Sequence, residues 1–208
     1  MKNFNFTFLV FLLVVGISLS CEHSNNPVLD ENQLQAQDES NGLTAKKGGV
    51  RSVPFKAKFF TKRNYDIVIG TCDDPDFPDY NHQKGEGTGT HLGKFTIELF
   101  FCGGPSGYKN GEGAFVAANG DELWFTVPSP GEIGQVLPLP YADPLYEAYF
   151  QDPFTFTGGT GRFEGASGSG RTNSFVDLFV DGDPNQFIRE HQTDHEWNGT
   201  LLLKNKKK

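Results

Sequence analysis

Across residues 50–203 apolar side chains recur at every second position, and no stretch of useful length repeats at the helical period of 3.6. Phe55, Ala57 and Phe59 alternate with Lys56 and Lys58, and Phe95, Ile97, Leu99 and Phe101 alternate with Lys94, Thr96 and Glu98. Leu123, Phe125 and Val127 do the same against Glu122 and Thr126. A sheet with one buried and one wet face requires such alternation. Strand-length runs are read at 50–61, 64–72, 87–101, 112–118, 121–128, 148–157, 168–180 and 190–203, separated by Gly, Asn, Asp and Pro. Tyr65, Ile67 and Ile69 form the apolar face of the second run, and Asn119-Gly120 predicts a tight hairpin after the fourth.

The pattern predicts an all-β domain with one core. Eight antiparallel strands can close into a barrel that is either filled by side chains or holds one small ligand. A jelly roll or sandwich fits the same strand count. Phe accounts for 20 residues of the 208, so the predicted interior is strongly aromatic.

Residues 157–170 read Thr-Gly-Gly-Thr-Gly-Arg-Phe-Glu-Gly-Ala-Ser-Gly-Ser-Gly, directly after the strand-like Pro153-Phe154-Thr155-Phe156. A dinucleotide loop needs a third glycine at 164, where Glu164 stands instead, and no βαβ unit surrounds the turn. No Gly-Lys-Ser/Thr is present, which excludes a P-loop. The remaining plain reading is a glycine-rich connection between two strands. Gly158, Gly159, Thr160, Gly161, Phe163, Gly165 and Gly168 also resemble the Gly-Gly-(Ser/Thr)-Gly-x-Phe-x-Gly segment of the allene oxide cyclase and dirigent proteins and of bacterial exported proteins with the same barrel. Weaker echoes lie at 87–93 and 118–121. The resemblance implies an eight-stranded antiparallel barrel of the allene oxide cyclase / dirigent (calycin-like) type, with Gly158, Gly159, Gly161 and Gly165 as structural turn residues. It also implies a homo-oligomer. No catalytic residue of the family can be placed on this sequence.

The first 20 residues carry Lys2, then an apolar run over 6–17, then Ser18-Leu19-Ser20-Cys21. This reads as a lipoprotein signal peptide with Cys21 as the lipidated residue, the run being shorter than the ~20 residues a spanning helix needs. Residues 21–49 are rich in Asn, Gln, Glu, Ser and Asp and hold no aromatic side chain, so they read as a disordered polar tether. Glu22 in place of an aspartate favours the bacterial outer membrane as the destination. The barrel then spans 50–203, and 204–208 is a basic tail, read as a solvated end. A formal net charge of -8 excludes the electrostatic footprint of nucleic-acid binding. The predicted partners are the membrane, through the anchor, and a small apolar ligand.

Alternation places His91 on the face of Phe95 and Ile97, and His191 and His195 on the face of Trp197 and Leu201. His91 and His195 are the candidates for acid–base chemistry, and Tyr65, His91, Phe95, Phe125 and Trp197 for ligand contact. No metal or cofactor is expected. His191 and His195 stand about 13 Å apart on a strand, too far to share one ion, and the acidic residues at 73–79 lack EF-hand spacing. Cys72 and Cys102 form an even pair in an exported chain, which favours a disulfide. A simple meander, however, would set them at opposite ends of neighbouring strands. Two functions follow as expectations: a non-catalytic binding or scaffold lipoprotein, or an isomerase/cyclase resembling allene oxide cyclase that confines an apolar substrate.

Overall fold

The structure is a computed structural model and describes residues 49–65, 71–143 and 145–205. Its strands are β1 (Val50–Arg63), β2 (Asp79–Gly89), β3 (Gly93–Gly104), β4 (Gly107–Ala117), β5 (Glu122–Val127), β6 (Gly134–Gln135), β7 (Ala148–Phe150), β8 (Pro153–Gly159), β9 (Ser167–Phe179) and β10 (Phe187–Lys204). All pairings are antiparallel, in the order β10-β1-β2-β3-β4-β5-β8-β9, and β9 pairs back onto β10. The domain is therefore all-β, a closed eight-stranded antiparallel barrel. Strands β7 and β8 keep one register along β9, with Phe150 opposite Ser174 and Pro153 opposite Arg171, so they act as one barrel strand interrupted at Gln151 and Asp152. Ala45–Lys208 is a compact unit in which every described strand finds its partners.

One strand lies elsewhere than the alternation predicts. The run 64–72 is not a described strand: Asn64 and Tyr65 follow the end of β1, residues 66–70, with Ile67 and Ile69, lie outside the described residues, and Thr71 onward forms a loop. The second barrel strand is Asp79–Gly89, almost without apolar residues. Its inward positions are Asn81 and Gln83 and then Gly85, Gly87 and Gly89. The first two are polar because that part of the wall lines a cavity. The last three are glycine because β1 leaves no room: a Cβ on Gly87 would stand 2.3 Å from the Phe59 Cβ.

The relocation also settles the cysteines. Cys72 sits in the loop that returns to the end of β3, and it is bonded to Cys102 with Cα atoms 6.0 Å apart. The meander objection fails because the strand beside β3 is Asp79–Gly89, which pairs Tyr80 with Cys102, and Cys72 lies in the loop before it.

The interior is phenylalanine set against glycine. Phe55 faces Gly199, Phe154 faces Gly170, Phe156 faces Gly168, Phe125 faces Gly113, and Gly87 is flanked by Phe59 and Phe95. A small barrel has little room for large rings in every row, and alternating large and small residues fits them. Phe115, fully buried, touches the rings of Phe55, Phe59, Phe95, Phe125 and Trp197 at centroid distances of 4.8 to 5.9 Å. The turn between β8 and β9 closes this end. A short 3-10 turn at Gly161–Phe163 drops the Phe163 ring, also fully buried, onto the core. Gly161 and Gly165 take φ of 55° and 64°, the left-handed region that side chains disfavour. Arg162 and Glu164 between them face solvent.

Phe115→Ala is expected to lower unfolding free energy by about 3–5 kcal/mol, the usual cost of an emptied aromatic site. Gly170→Ala, whose Cβ would meet the Phe154 ring at 2.5 Å and the Asn198 carbonyl oxygen at 2.2 Å, is expected to cost about 1–3 kcal/mol by overpacking. Urea unfolding checks both, and wild-type stability for either variant would contradict the packing described.

Candidate functional site: the open half of the lumen

The rings fill only one half of the barrel. Toward the other end, where β1 ends and β2 begins, the inward positions change from aromatic to polar: Thr61 on β1, Asn81 and Gln83 on β2, Ser174 on β9, and His191, Thr193 and His195 on β10. All but Thr61, which bonds to two of them, line a cavity of about 280 Å3. Its apolar wall includes Leu99, Phe101, Val127, Val136, Phe150 and Val176, and Trp197 also lines it. That size lies at the low end of small-molecule sites.

The polar wall is ordered by one hydrogen-bond chain. The Gln83 Oε1 can only accept, so the Thr61 hydroxyl donates to it at 2.6 Å. The Thr61 oxygen then accepts from His195 Nε2–H at 3.0 Å, and His195 Nδ1 accepts from the Ser174 hydroxyl at 2.8 Å. His195 is also stacked on Phe59 at 4.4 Å. Burial pushes its pKa down to about 3, so it is held neutral in this single tautomer. His191, nearer the mouth, is pushed down to about 4, by burial and then by the Arg63 charge.

Opposite these, the Tyr108 hydroxyl donates to Asp152 Oδ2 at 2.7 Å. Asp152 sits at the interruption between β7 and β8, where its backbone N–H donates to the Thr172 hydroxyl. Burial raises the Asp152 carboxyl, and burial followed by the Asp152 charge raises the Tyr108 phenol well above its ordinary value. Two buried polar atoms on the lining residues have no hydrogen-bond partner, His191 Nδ1 and Trp197 Nε1.

The residues named from the sequence are scattered. His195 and Trp197 reach the cavity, as does His191. Phe95 and Phe125 are buried in the ring-filled half and do not line the cavity. Tyr65 lies beyond β1, its ring between Arg63 at 4.8 Å and Arg189 at 4.7 Å. His91 does not point inward: it occupies the β2–β3 turn with φ of 64°, exposed, at the far end from the cavity. The alternation does not carry to His91, because β3 begins only at Gly93 and residues 90–92 form the turn. Cys21 lies outside the described residues.

Sequence reading missed Thr61, Gln83, Ser174 and the Tyr108–Asp152 pair. Thr61, Gln83 and Ser174 sit at the parity of their strands' buried positions, which is the signal that finds them once β2 and β9 are in register, whereas Tyr108 has the opposite parity in β4 and Asp152 lies between strands. No protein-family model, no curated protein and no solved structure matches this chain.

Both histidines take up protons more readily in the unfolded chain, where their pKa is near 6.5. The stability they hold is full above about pH 6.5 and falls as pH drops toward about 4 for His191 and about 3 for His195, on the order of 1.4 kcal/mol per pH unit for each. His195→Gln is expected to flatten the pH dependence of urea unfolding between pH 6 and 4.5 by about one such increment. Parallel wild-type and variant curves would show that His195 is not held neutral.

Proposed function

We propose that this chain is an exported lipoprotein, anchored through Cys21 to the bacterial outer membrane, whose barrel binds one small, mostly apolar molecule carrying a polar group. The observation that carries the binding reading is the cavity with its two unsatisfied buried atoms. Burying an indole N–H and an imidazole nitrogen without partners costs roughly 1–3 kcal/mol each, and a ligand or water at that depth removes the cost. The apolar wall supplies affinity at about 25 cal/mol per Å2 buried, while Trp197 Nε1–H and His191 Nδ1 fix the orientation of the polar end. The ring-filled half sets the limit: a long chain cannot pass Phe115, so the occupant has the size of a substituted ring.

Binding is favoured over the isomerase alternative by the state of His195. A general base needs an accessible nitrogen and a pKa near the working pH. His195 has both nitrogens engaged and is pushed down to about 3. It is a wall residue.

Titrating Ala45–Lys208 in a Trp124→Phe background, where Trp197 is the remaining tryptophan, with 2-naphthol should give saturable one-to-one quenching. Val176→Phe, which fills the cavity from β9 without adding a second tryptophan, should weaken it at least tenfold. Native mass spectrometry showing persistently ligand-free protein, together with no saturable response, would leave a scaffold rather than a binding protein.

A further inference from the structure

We propose that the outer face of the barrel carries a second binding site, a groove for a neutral oligosaccharide. Outward positions of a strand with one wet face are normally polar. On β1 they read Lys56, Lys58 and Lys62, with one ring among them, Phe60. Phe60 stands opposite Asp194 on β10 and Glu86 on β2. Beyond Asp194, on β9, the outward residue is again a ring, Phe175. Three tyrosines pack around Phe175: Tyr141 and Tyr146 from the segment before β7, and Tyr149 in it, with ring centroids 5.8, 5.4 and 4.9 Å away. They form one wall of a groove of about 920 Å3, against about 280 Å3 for the lumen cavity.

That wall is pinned to the sheet. The Tyr146 hydroxyl donates to Asp194 Oδ2 at 2.7 Å, and the Tyr149 hydroxyl donates to Asn173 Oδ1 at 2.6 Å. Gln192 Nε2 donates to the other Asp194 oxygen at 2.9 Å, and Gln151 Nε2 to Asn173 Oδ1 at 3.0 Å. The groups so oriented keep spare capacity: each carboxylate oxygen of Asp194 has a further lone pair, and the Asn173 amide still has its N–H donors. Tyr141 is 56% exposed. Across the floor, Glu86, Thr88 and Lys94 are exposed, and neither Glu86 nor Lys94 makes an ion pair among the described residues.

The mixture of groups selects the ligand. Lys58 and Lys94 line the groove together with Glu86, Asp194 and Glu196, and Lys58 is already paired with Glu196. Neither a polyanion nor a polycation meets a field of one sign there. An extended peptide would need an open strand edge, and β9, β10, β1, β2 and β3 are each paired on both sides. Aromatic faces beside carboxylate, amide, hydroxyl and ammonium groups suit an uncharged ligand with an apolar face and a rim that both donates and accepts. A pyranose ring is such a ligand: its C–H face packs on a tyrosine or phenylalanine ring, and its hydroxyls satisfy the polar groups around it. The groove crosses five strands from Asn173 on β9 to Lys94 on β3, four spacings of about 4.8 Å or roughly 19 Å, which suits several linked sugars rather than one. The proposal rests neither on the lumen ligand nor on lipidation of Cys21.

The test titrates Ala45–Lys208 by calorimetry with cellohexaose, mannohexaose, xylohexaose and maltohexaose. At least one of them is expected to bind one-to-one, and its monosaccharide about tenfold more weakly or worse. Tyr141→Ala, which removes an exposed ring, should weaken the hexasaccharide about tenfold, and Glu86→Gln/Lys94→Gln across the floor about fivefold. Trp124→Phe, on β5 and outside the groove, should leave it unchanged. No binding of any of the four sugars, wild-type affinity in either groove variant, an equal loss from Trp124→Phe, or binding of heparin or a lysine decapeptide as tight as the best hexasaccharide would each overturn the proposal.

Discussion

The packing of a phenylalanine ring over a facing glycine is the constraint on which the rest of this molecule depends. A closed eight-stranded barrel encloses a narrow interior, and rings from every strand would collide in it. Gly113 and Gly170 leave room for the Phe125 and Phe154 rings, Gly87 leaves room for the Phe59 side chain, and Gly168 and Gly199 let the neighbouring backbones approach closely opposite Phe156 and Phe55. That pairing explains both why the barrel can be so aromatic and why its glycines cannot be exchanged freely. It also bears on where the cavity lies: the close-packed ring cluster ends at Trp197, and on β10 the inward positions beyond it are His195, Thr193 and His191.

The polar half is organised differently from an acid–base centre. Its chain from Gln83 through Thr61 and His195 to Ser174 engages both ring nitrogens of His195, which stiffens the wall and leaves neither of them spare. The unsatisfied atoms lie beside this chain, on His191 and Trp197. Rigid wall and orphaned atoms together support the proposal of a binding cavity. Its rigidity means that specificity would come from shape and from where those two atoms sit.

Much of the architecture was legible in the alternation, because β1, β3, β5 and β8 bury mainly apolar residues at every second position, while β4, β9 and β10 mix apolar inward positions with glycine, hydroxyls or histidine. Strand β2 was not, and the reason is instructive. Its inward residues are two amides and three glycines, so it carries no hydrophobic signal, while the neighbouring 64–72 carries a false one in Tyr65, Ile67 and Ile69. The same displacement hid the disulfide geometry. The glycine run before Ser167 was readable as a turn, yet its purpose of seating Phe163 against the core needs the partner strands. For the site, period-two parity found His191, His195 and Trp197 but carried His91 inward through a turn. Ser174 and Thr61 look like ordinary strand hydroxyls until register brings them within reach of one imidazole.

Closure of the barrel has a kinetic side. Strand β10 is the last strand of the domain, and it alone supplies the seam, pairing with β1 along one edge and β9 along the other. Val50 finds its partner only when Lys204 exists. Contacts of such separation form late and slowly, and an N-terminal portion lacking β10 has two raw sheet edges and an uncovered aromatic face. Under the proposed export across a membrane that dependence is useful: the domain cannot lock shut while its carboxyl end is still to arrive.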